Sequence, residues 1–149
     1  PVPAILIENA AGQGTELGCN WSHFRHLFEA LDQNHVGLCW DTQHAFAAGL
    51  STMNSAESVD RLLTRMHELV GPKNPLLIHL NDSKIAFGGR VDRHENLGYG
   101  HIWSDEENRS GLAALILICR TEGIDLVLET PNPIPDLALI TQYERGLLE

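Results

Sequence analysis

Short apolar runs alternate along the chain with longer segments in which apolar residues recur every three or four positions. The runs have the length and composition of buried strands, and they lie at residues 4–8, 36–41, 76–80 and 125–129. Helical spacing follows them at residues 21 to about 32, from 59 until Gly71-Pro72, from 104 to about 122, and from 136 onward. Ser104 and Glu107 have the spacing of a capping box for the third helix. The order βαβαβαβα predicts parallel strands with helices packed outside.

Each predicted strand carries a residue at its carboxyl end that can bind a metal ion. These residues are Glu8, Asp41, His79 and Glu129. In a parallel barrel all strand ends open on one rim, so side chains that are distant in sequence can converge there. Three carboxylates and an imidazole would repel one another or stay unpaired unless a divalent cation held them. One such residue alone is more often a satisfied polar core residue, but four at successive strand ends favour a metal site.

A second set of potential ligands lies close to these positions. His44 follows Asp41 by three residues, and Asp92 and His94 lie two residues apart in a long loop at residues 81–103. Two imidazoles and one carboxylate suit zinc with an open position for water or substrate. The Asp-x-His pair alone is weak evidence, because it often occurs by chance.

Basic residues flank the same loop. Lys84, Arg90 and Arg93 could contact phosphate oxygens, and solvated loop charges are an equally good interpretation. The remaining histidines fall outside the pattern and are expected to have surface or packing roles; they are His23, His26, His35, His67 and His101. Cys39 is expected to be a small core residue.

The chain is long enough for one domain, with 149 residues of which 43% are hydrophobic. Four βα units make half of an eight-stranded barrel, and half a barrel has two open, aggregation-prone edges. We therefore expect a partner or a longer parent chain to supply the other half, and a start at Pro1 agrees with a piece of a longer protein.

Charge and cysteine content bear on the kind of partner and the cellular compartment that we expect. Ten Lys+Arg against 20 Asp+Glu give a net charge of −10, which argues against a polyanionic partner unless bound cations reverse the sign locally. Three cysteines without CxxC spacing favour a reducing, intracellular compartment over a disulfide framework. Neither an apolar run of membrane-spanning length nor a signal peptide is recognisable in the sequence.

Four blocks of the sequence closely resemble the C-terminal half of the endonuclease IV proteins, AP endonuclease family 2. They are IENAAGQGTELG, VGLCWDTQHAFAAG, IHLNDSKIAFGGRVDRHENLGYGHI and LVLETPNP. The resemblance covers nearly the whole chain, and the second and third blocks are highly specific in order and spacing. It implies a (β/α)8 TIM barrel, with residues 1–149 as about the last four βα units and the N-terminal half absent. It also implies DNA base-excision repair, by zinc-dependent hydrolysis of the phosphodiester 5′ to an abasic site in duplex DNA.

The resemblance also implies roles for individual residues. Glu8, Asp41, His79 and Glu129 would surround one zinc, with Glu8 bridging to another and Glu8 and Glu129 as catalytic residues. A second zinc would be held by His44, Asp92 and His94. The third shares Glu8 but takes two histidines from the absent half, so this chain would hold two complete shells of three, with Mn²⁺ as an alternative ion. The complete enzyme would be a monomer, and the isolated chain weak or inactive.

Two residues depart from the family pattern. Trp40 stands where an aliphatic residue is usual, and Gln43 replaces the commoner Cys.

Two other functions remain open. A sugar isomerase or epimerase on the same barrel would use the strand-end quartet around one Mn²⁺ or Mg²⁺, without needing the His44, Asp92 and His94 set. A scaffold without enzymatic activity is the third alternative.

Overall fold

Four parallel strands form the main sheet of the structure, a computed structural model that describes residues 5–31, 35–71 and 76–146. All strands within these ranges, in chain order, are β1 (Ile5–Glu8), β2 (Val36–Asp41), β3 (Leu76–His79), β4 (Asp82–Ser83), β5 (His94–Glu95) and β6 (Asp125–Val127). The helices are α1 (Trp21–Ala30), α2 (Thr42–Ala47), α3 (Ala56–Val70), α4 (Arg109–Glu122) and α5 (Pro133–Glu144). The main sheet has the order β1-β2-β3-β6, which confirms the predicted parallel α/β class.

The register of the sheet brings the ends of neighbouring strands to within two residues of one another. Asp41 of β2 lies opposite His79 of β3, and Glu8 of β1 lies opposite Cys39. Strands β3 and β6 pair with His79 opposite Val127, two residues before Glu129. Because all four strands run in the same direction, their carboxyl ends meet at one edge of the sheet.

Strand β2 is the most deeply buried, as its apolar sequence predicts for a strand covered on both faces. The indole of Trp40 is fully buried and stacks on that of Trp21 in α1, with 4.8 Å between ring centroids. The guanidinium of Arg65 in α3 lies over the ring of Trp21 at 4.2 Å. An aromatic pair under the helices therefore accommodates the unusual Trp40.

The segment after β3 is more ordered than the sequence indicates. Strands β4 and β5 pair antiparallel within the predicted loop, with Ser83 opposite His94. The buried carboxylate of Asp82 accepts the backbone N–H groups of Ser83, Gly98 and Ile102 at 2.7, 3.0 and 2.9 Å. Burial raises the pKa of Asp82, while these hydrogen bonds oppose the shift. One carboxylate thus organises the turn that follows the hairpin, a role that the sequence does not reveal.

Gln43 ties this hairpin segment to helix α2. Its side-chain amide is fully buried and donates to Ser83 Oγ at 3.2 Å and to the Val91 carbonyl at 3.1 Å. Helix α2 follows β2 without a loop, and its N-cap residue is Asp41, whose side chain accepts the N–H of His44. The sequence did not predict α2 as a separate helix, because it is only six residues long.

The predicted start of the third helix is wrong. Helix α4 begins at Arg109, and its N-cap residue, Asn108, makes no side-chain capping bond, so Ser104 and Glu107 form no capping box. The preceding Trp103 is fully buried and donates its indole N–H to the Met53 carbonyl at 2.8 Å. This anchor fixes the chain before the helix, and residues 105–108 form bends and turns instead.

Other boundaries shift by a few residues. Strand β6 ends at Val127 rather than Glu129, and α5 begins at Pro133 rather than at 136, because proline is well suited to the first turn of a helix. Strand β1 is not buried as its apolar sequence suggested, since Ile5 is 65% exposed. The predicted strand start at residue 4, the end of the first helix at residue 32 and the stop at Pro72 lie outside the described residues.

Both ends of the main sheet are open within the described residues. Strands β1 and β6 each pair on one side, and Val127 of β6 is 39% exposed. Apolar side chains near these edges also face solvent, among them Leu17, Leu27, Ile134 and Leu137. The expected open edges of a half-barrel are therefore present in this part of the chain. Within the same ranges, none of the helices combines the length and apolarity needed to cross a bilayer.

Replacing Gly111 by alanine should destabilise the fold. A Cβ atom at Gly111 would overlap the Met53 carbonyl oxygen and would lie 2.7 Å from Ser55 N. Alanine normally favours a helix over glycine by about 1 kcal/mol, but this backbone overlap forces α4 away from its neighbour. We expect the free energy of unfolding of the complete protein to fall by about 2–3 kcal/mol, measured by urea denaturation.

The matched control is Ser110→Ala on the same turn of α4, where the side chain is exposed. Its effect should stay within about 0.5 kcal/mol. An unchanged or increased stability of Gly111→Ala would contradict the close packing of α4 against residues 53–55.

Candidate metal centre

Four potential ligands gather where the strands of the main sheet end. The Nδ1 atom of His79 lies 3.1 Å from Glu8 Oε1, 3.0 Å from Glu129 Oε2 and 3.9 Å from Asp41 Oδ2. One ligand atom from each of the four residues lies within 4.8 Å of all the others. We call these residues, Glu8, Asp41, His79 and Glu129, the strand-end cluster.

The second predicted set lies beside the first. His44 Nε2 is 3.3 Å from one carboxylate oxygen of Asp92, and His94 Nε2 is 3.3 Å from the other. The two imidazole rings are 5.5 Å apart. We call His44, Asp92 and His94 the two-histidine cluster. Helix α2 supplies His44 and strand β5 supplies His94, so the hairpin folds the second set back over the sheet edge.

The two clusters share a border. His94 Nε2 lies 3.6 Å from Asp41 Oδ2, and His44 Nδ1 lies 3.5 Å from Glu8 Oε1. Asp41, His44 and His94 form a further group with ligand atoms within 4.8 Å. All seven potential ligands predicted from the sequence therefore lie at one edge of the main sheet.

Backbone carbonyls orient both histidines of the two-histidine cluster. His44 Nδ1 is 2.9 Å from the Asn9 carbonyl, and His94 Nδ1 is 3.2 Å from the Glu129 carbonyl. A proton on each Nδ1 leaves the Nε2 lone pair facing Asp92, as in metal-binding histidines. Both Nε2 atoms are buried, and neither makes a hydrogen bond with any residue in the described ranges.

The spacing of these atoms fits metal binding. Ligands about 2.0–2.1 Å from a tetrahedral zinc ion lie about 3.3 Å from one another. The separations between Asp92 and the two Nε2 atoms are 3.3 Å without the geometry of a hydrogen bond. A cation would also neutralise the carboxylates of the strand-end cluster. The described residues can thus hold a metal ion, and their oxygen and nitrogen donors suit zinc or manganese.

Burial and mutual charge shift the pKa of the groups at the border between the clusters. Burial raises the pKa of Asp41, and the neighbouring imidazoles and hydrogen bonds from His44 N–H and Asn81 offset only part of the shift. For His44, burial alone would lower the pKa, but the carboxylate of Asp41, the Asn9 carbonyl and the carboxylates of Asp92 and Glu8 outweigh it. The pKa of His44 is therefore raised.

Cys39 lies near the strand-end cluster, with its sulfur close to Glu8 and His79. Burial, together with the charges of Glu8, Asp41 and Glu129, raises the pKa of Cys39 to about 12. Cys39 is buried within the sheet, as predicted for a small core residue.

Two asparagines support the clusters, and the sequence analysis missed both. Asn9 is buried and forms two hydrogen bonds with the backbone of Asp41, at 2.6 Å to its N–H and 2.9 Å to its carbonyl. Asn81 is also buried and bonds to the Asp41 side chain. Their positions one and two residues after the predicted ligands Glu8 and His79 were the available signal.

The three basic residues of the hairpin segment are exposed. Arg93 donates to the backbone carbonyl of Asp92 at 2.6 Å, and Lys84 Nζ lies 3.9 Å from Glu95. Arg90 has a positive φ of 54°, and its N–H donates to the Ala47 carbonyl at 2.9 Å. The side chains of all three residues remain exposed. Their contact with phosphate stays a prediction.

Comparison with known proteins agrees with the barrel-type fold. The family model of AP endonuclease family 2, described as a xylose isomerase-like TIM barrel, matches residues 4–107. The crystal structure of endonuclease IV from Thermus thermophilus is 30% identical, with a TM-score of 0.76 over 97% of this chain and 51% of that chain. The structure of AsfvAP:AG is 22% identical, with a TM-score of 0.72 over 98% and 53%, and shows the fold alone.

These findings define a chain of the TIM-barrel class that spans about half the length of the structures it matches. The chain belongs to AP endonuclease family 2, the xylose isomerase-like TIM barrels.

Acidification should release metal from this centre. Because the pKa of His44 and of Asp41 is raised, protons compete for these ligands at higher pH than for ordinary histidine and aspartate. We expect the zinc affinity of the complete protein to fall steeply as the pH decreases through about 6.5, the ordinary histidine pKa, and to begin falling above it. Competition with a chromogenic chelator measures this affinity.

The metal-free protein should show the opposite trend. The raised pKa values mean that the folded state binds these protons more tightly than the unfolded chain. The free energy of unfolding therefore decreases as the pH rises through these pKa values.

A control is His67→Gln, which removes a histidine that faces Glu122 at 3.4 Å, outside both clusters. A zinc affinity that is flat between about pH 8 and about pH 5.5 would argue against metal binding by His44.

Proposed function

We propose that the complete protein is a zinc-dependent AP endonuclease that hydrolyses the phosphodiester 5′ to an abasic site in duplex DNA during base-excision repair. The observation that carries this proposal is the two-histidine cluster beside the strand-end cluster. Hydrolysis of a phosphodiester needs charge neutralisation on both the attacking and the leaving oxygen, and two adjacent cation sites suit both tasks. Membership of AP endonuclease family 2 supports the same function.

Bound zinc would supply Lewis acidity and a water molecule with a pKa near neutrality. Glu8 borders both clusters, 3.1 Å from His79 and 3.5 Å from His44, and would orient the attacking water from there. Glu129, with Oε2 3.0 Å from His79 and its side chain 45% exposed, would accept or relay the water's proton. These two residues are the proposed catalytic residues, and both would also be ligands.

The remaining predicted ligands would position the cations. Asp41 and His79 would complete the strand-end site, while His44, Asp92 and His94 would hold an ion against the phosphate and the leaving 3′-oxygen. The proposed ion is zinc, with Mn²⁺ as the alternative. Three zinc ions are expected in the complete enzyme, and this chain would complete the shells of two.

A second half-barrel would close the fold, with residues 1–149 as the C-terminal half. An apolar groove of about 460 Å³ lies near the β1 edge, lined in part by Ile7, Leu17 and Leu27. A second groove of about 680 Å³, of mixed polar and apolar lining, lies near the β6 edge and includes Leu126 and Leu137. Both grooves would be filled by flanking βα units of an N-terminal half that also supplies the last zinc ligands. The complete enzyme would be an intracellular monomer, and the isolated chain weak or inactive.

The proposed DNA partner must approach a chain of net charge −10. Cations bound in the two clusters would reverse the local charge where the carboxylates are concentrated. Lys84, Arg90 and Arg93 are exposed in the same hairpin segment that carries Asp92 and His94. Their placement favours contact with phosphates beside the cleaved bond.

A sugar isomerase or epimerase is the second candidate. The strand-end cluster alone would serve such an enzyme with one divalent ion, and the family description covers xylose isomerase-like barrels. This alternative leaves unexplained why the buried Nε2 atoms of His44 and His94 make no hydrogen bond within the described ranges. The decisive experiment incubates the complete, zinc-loaded protein with duplex DNA containing a tetrahydrofuran abasic mimic and counts bound metal. Incision with more than one ion supports the endonuclease; one ion and no incision would support the isomerase.

Asp92→Ala should abolish turnover far more than DNA binding. Each carboxylate oxygen of Asp92 lies 3.3 Å from one of the two Nε2 atoms. The substitution therefore removes the carboxylate of the two-histidine cluster. We expect kcat on the abasic duplex to fall by at least about 100-fold and the metal content to drop by about one ion, with Kd changed by less than about fivefold.

Asp60→Ala is the matched control, because it removes the same charge from the exposed surface of α3. It should leave kcat, metal content and Kd unchanged. Equal losses of turnover and binding in Asp92→Ala would contradict its assignment to the cleavage step.

Arg90→Ala should weaken binding of abasic duplex DNA in a salt-dependent manner. If Arg90 neutralises one phosphate, its loss should reduce the slope of log K against log salt by about 1. Arg90 is preferable to Arg93, whose guanidinium bonds to the Asp92 carbonyl and would disturb a proposed ligand. The measurement uses the Asp92→Ala background, which prevents cleavage during titration.

Arg61→Ala provides the comparison, since Arg61 is exposed on α3 and forms an ion pair with Glu57. Its removal should not change the slope. A slope identical in Arg90→Ala and the parent would show that Arg90 is a solvated loop charge.

A further inference from the structure

Asn81 connects the ends of three strands of the main sheet. Its Nδ2 donates to Asp41 Oδ2 at 2.7 Å, at the end of β2. Its Oδ1 accepts the backbone N–H of Glu129, beyond the end of β6, at 2.9 Å. Asn81 itself follows β3 and is fully buried. The amide therefore lies between one proposed ligand and the backbone of another.

Thr42 holds the backbone of Asn81 in place. Its hydroxyl donates to the Asn81 carbonyl at 2.7 Å and accepts the Asn81 N–H at 2.9 Å. Thr42 directly follows Asp41, so the same short segment contacts both ends of residue 81. The backbone that carries the amide is thus held by hydrogen bonds within the fold.

Asp41 differs from the other proposed carboxylate ligands in how it is held. Its side chain is fully buried, with Oδ1 accepting the His44 N–H at 2.8 Å and Oδ2 accepting Asn81 Nδ2. Asn9 fixes its backbone from the other side. The carboxylates of Glu8, Asp92 and Glu129 are instead 39%, 44% and 45% exposed. One firmly held carboxylate and three solvent-accessible ones therefore face the same space.

We propose that Asn81 is a positioning residue that fixes Asp41 as the rigid ligand of the metal centre and keeps it in register with Glu129. This inference rests on the proposed function, because it assigns Asn81 a role toward the same cations. Hydrogen-bonded partners of metal ligands typically change metal affinity 10- to 100-fold, roughly, when they are removed. Because its side chain is fully buried, Asn81 would act through Asp41 and not on the substrate itself.

The chemistry of the position requires an amide. One side of Asn81 faces a carboxylate oxygen and must donate, while the other faces an N–H and must accept. An ionised aspartate can only accept, and an aliphatic side chain can do neither. The network also fixes the orientation of the amide, since the reverse orientation would place oxygen against oxygen and nitrogen against N–H.

The test compares Asn81→Ala with Asn96→Ala in the complete protein. Asn96 is a matched control, because its Nδ2 donates to another buried carboxylate, Asp136 Oδ2, also at 2.7 Å. Both substitutions remove an amide-to-carboxylate hydrogen bond, but only Asn81 bonds to a proposed ligand. Zinc affinity is measured by chelator competition, stability by denaturation of the metal-free protein, and kcat and KM on the abasic duplex.

We expect Asn81→Ala to lower zinc affinity at least tenfold and to reduce kcat more than it raises KM. Asn96→Ala should lower stability to a similar degree while leaving zinc affinity within twofold of the parent. If Asn81→Ala does not fold, Asn81→Ser replaces it, with a shorter polar group and an expected loss of zinc affinity of at least threefold.

The outcomes separate the two proposals. Zinc binding by the parent with unchanged affinity in the folded Asn81 variant would overturn the positioning role and leave the proposed function intact. A parent protein that binds no zinc would overturn the proposed function itself. Equal loss of affinity in the Asn81 and Asn96 variants would reduce Asn81 to a general contribution to stability.

Discussion

Electrostatic repulsion between carboxylates at the strand ends explains why so many polar groups are gathered there. Glu8, Asp41 and Glu129 bring three carboxylates to one imidazole, that of His79, with ligand atoms within 4.8 Å. Such a concentration of charge is costly in a partly buried place unless cations or hydrogen bonds offset it. The carboxylates come together because the parallel strands end at one edge. Hydrogen bonds from the surrounding polar groups, together with the proposed cations, would offset their repulsion.

The polar groups around the clusters divide the work. Backbone carbonyls of Asn9 and Glu129 orient the imidazoles of His44 and His94, which turns their Nε2 atoms toward Asp92. The side-chain amide of Asn81 holds Asp41 from the opposite direction. Hydrogen bonds within the fold thus hold the two imidazoles and Asp41, while the carboxylates of Glu8, Asp92 and Glu129 are partly exposed. Such preorganisation lowers the cost of binding.

Much of the fold and most of the candidate centre were accessible from the sequence. The four apolar runs predicted the parallel strands because each is short, apolar and followed by helical spacing, and their last residues predicted the strand-end cluster. The predicted start of α4 was wrong, because burial of Trp103 overrode a local capping pattern at Ser104. Local signals decide an element only where long-range packing does not oppose them.

The residue types and their places at the strand ends were enough to identify the potential ligands and to put them at one edge, since parallel strands have a common direction. How the second set meets the first depends on long-range folding, because the β4–β5 hairpin must fold back before His94 reaches His44. The roles of Asn9 and Asn81 likewise follow from contacts in the folded chain. An asparagine after a strand has no fixed meaning until its partners are known, and those partners lie 32 to 48 residues away along the chain.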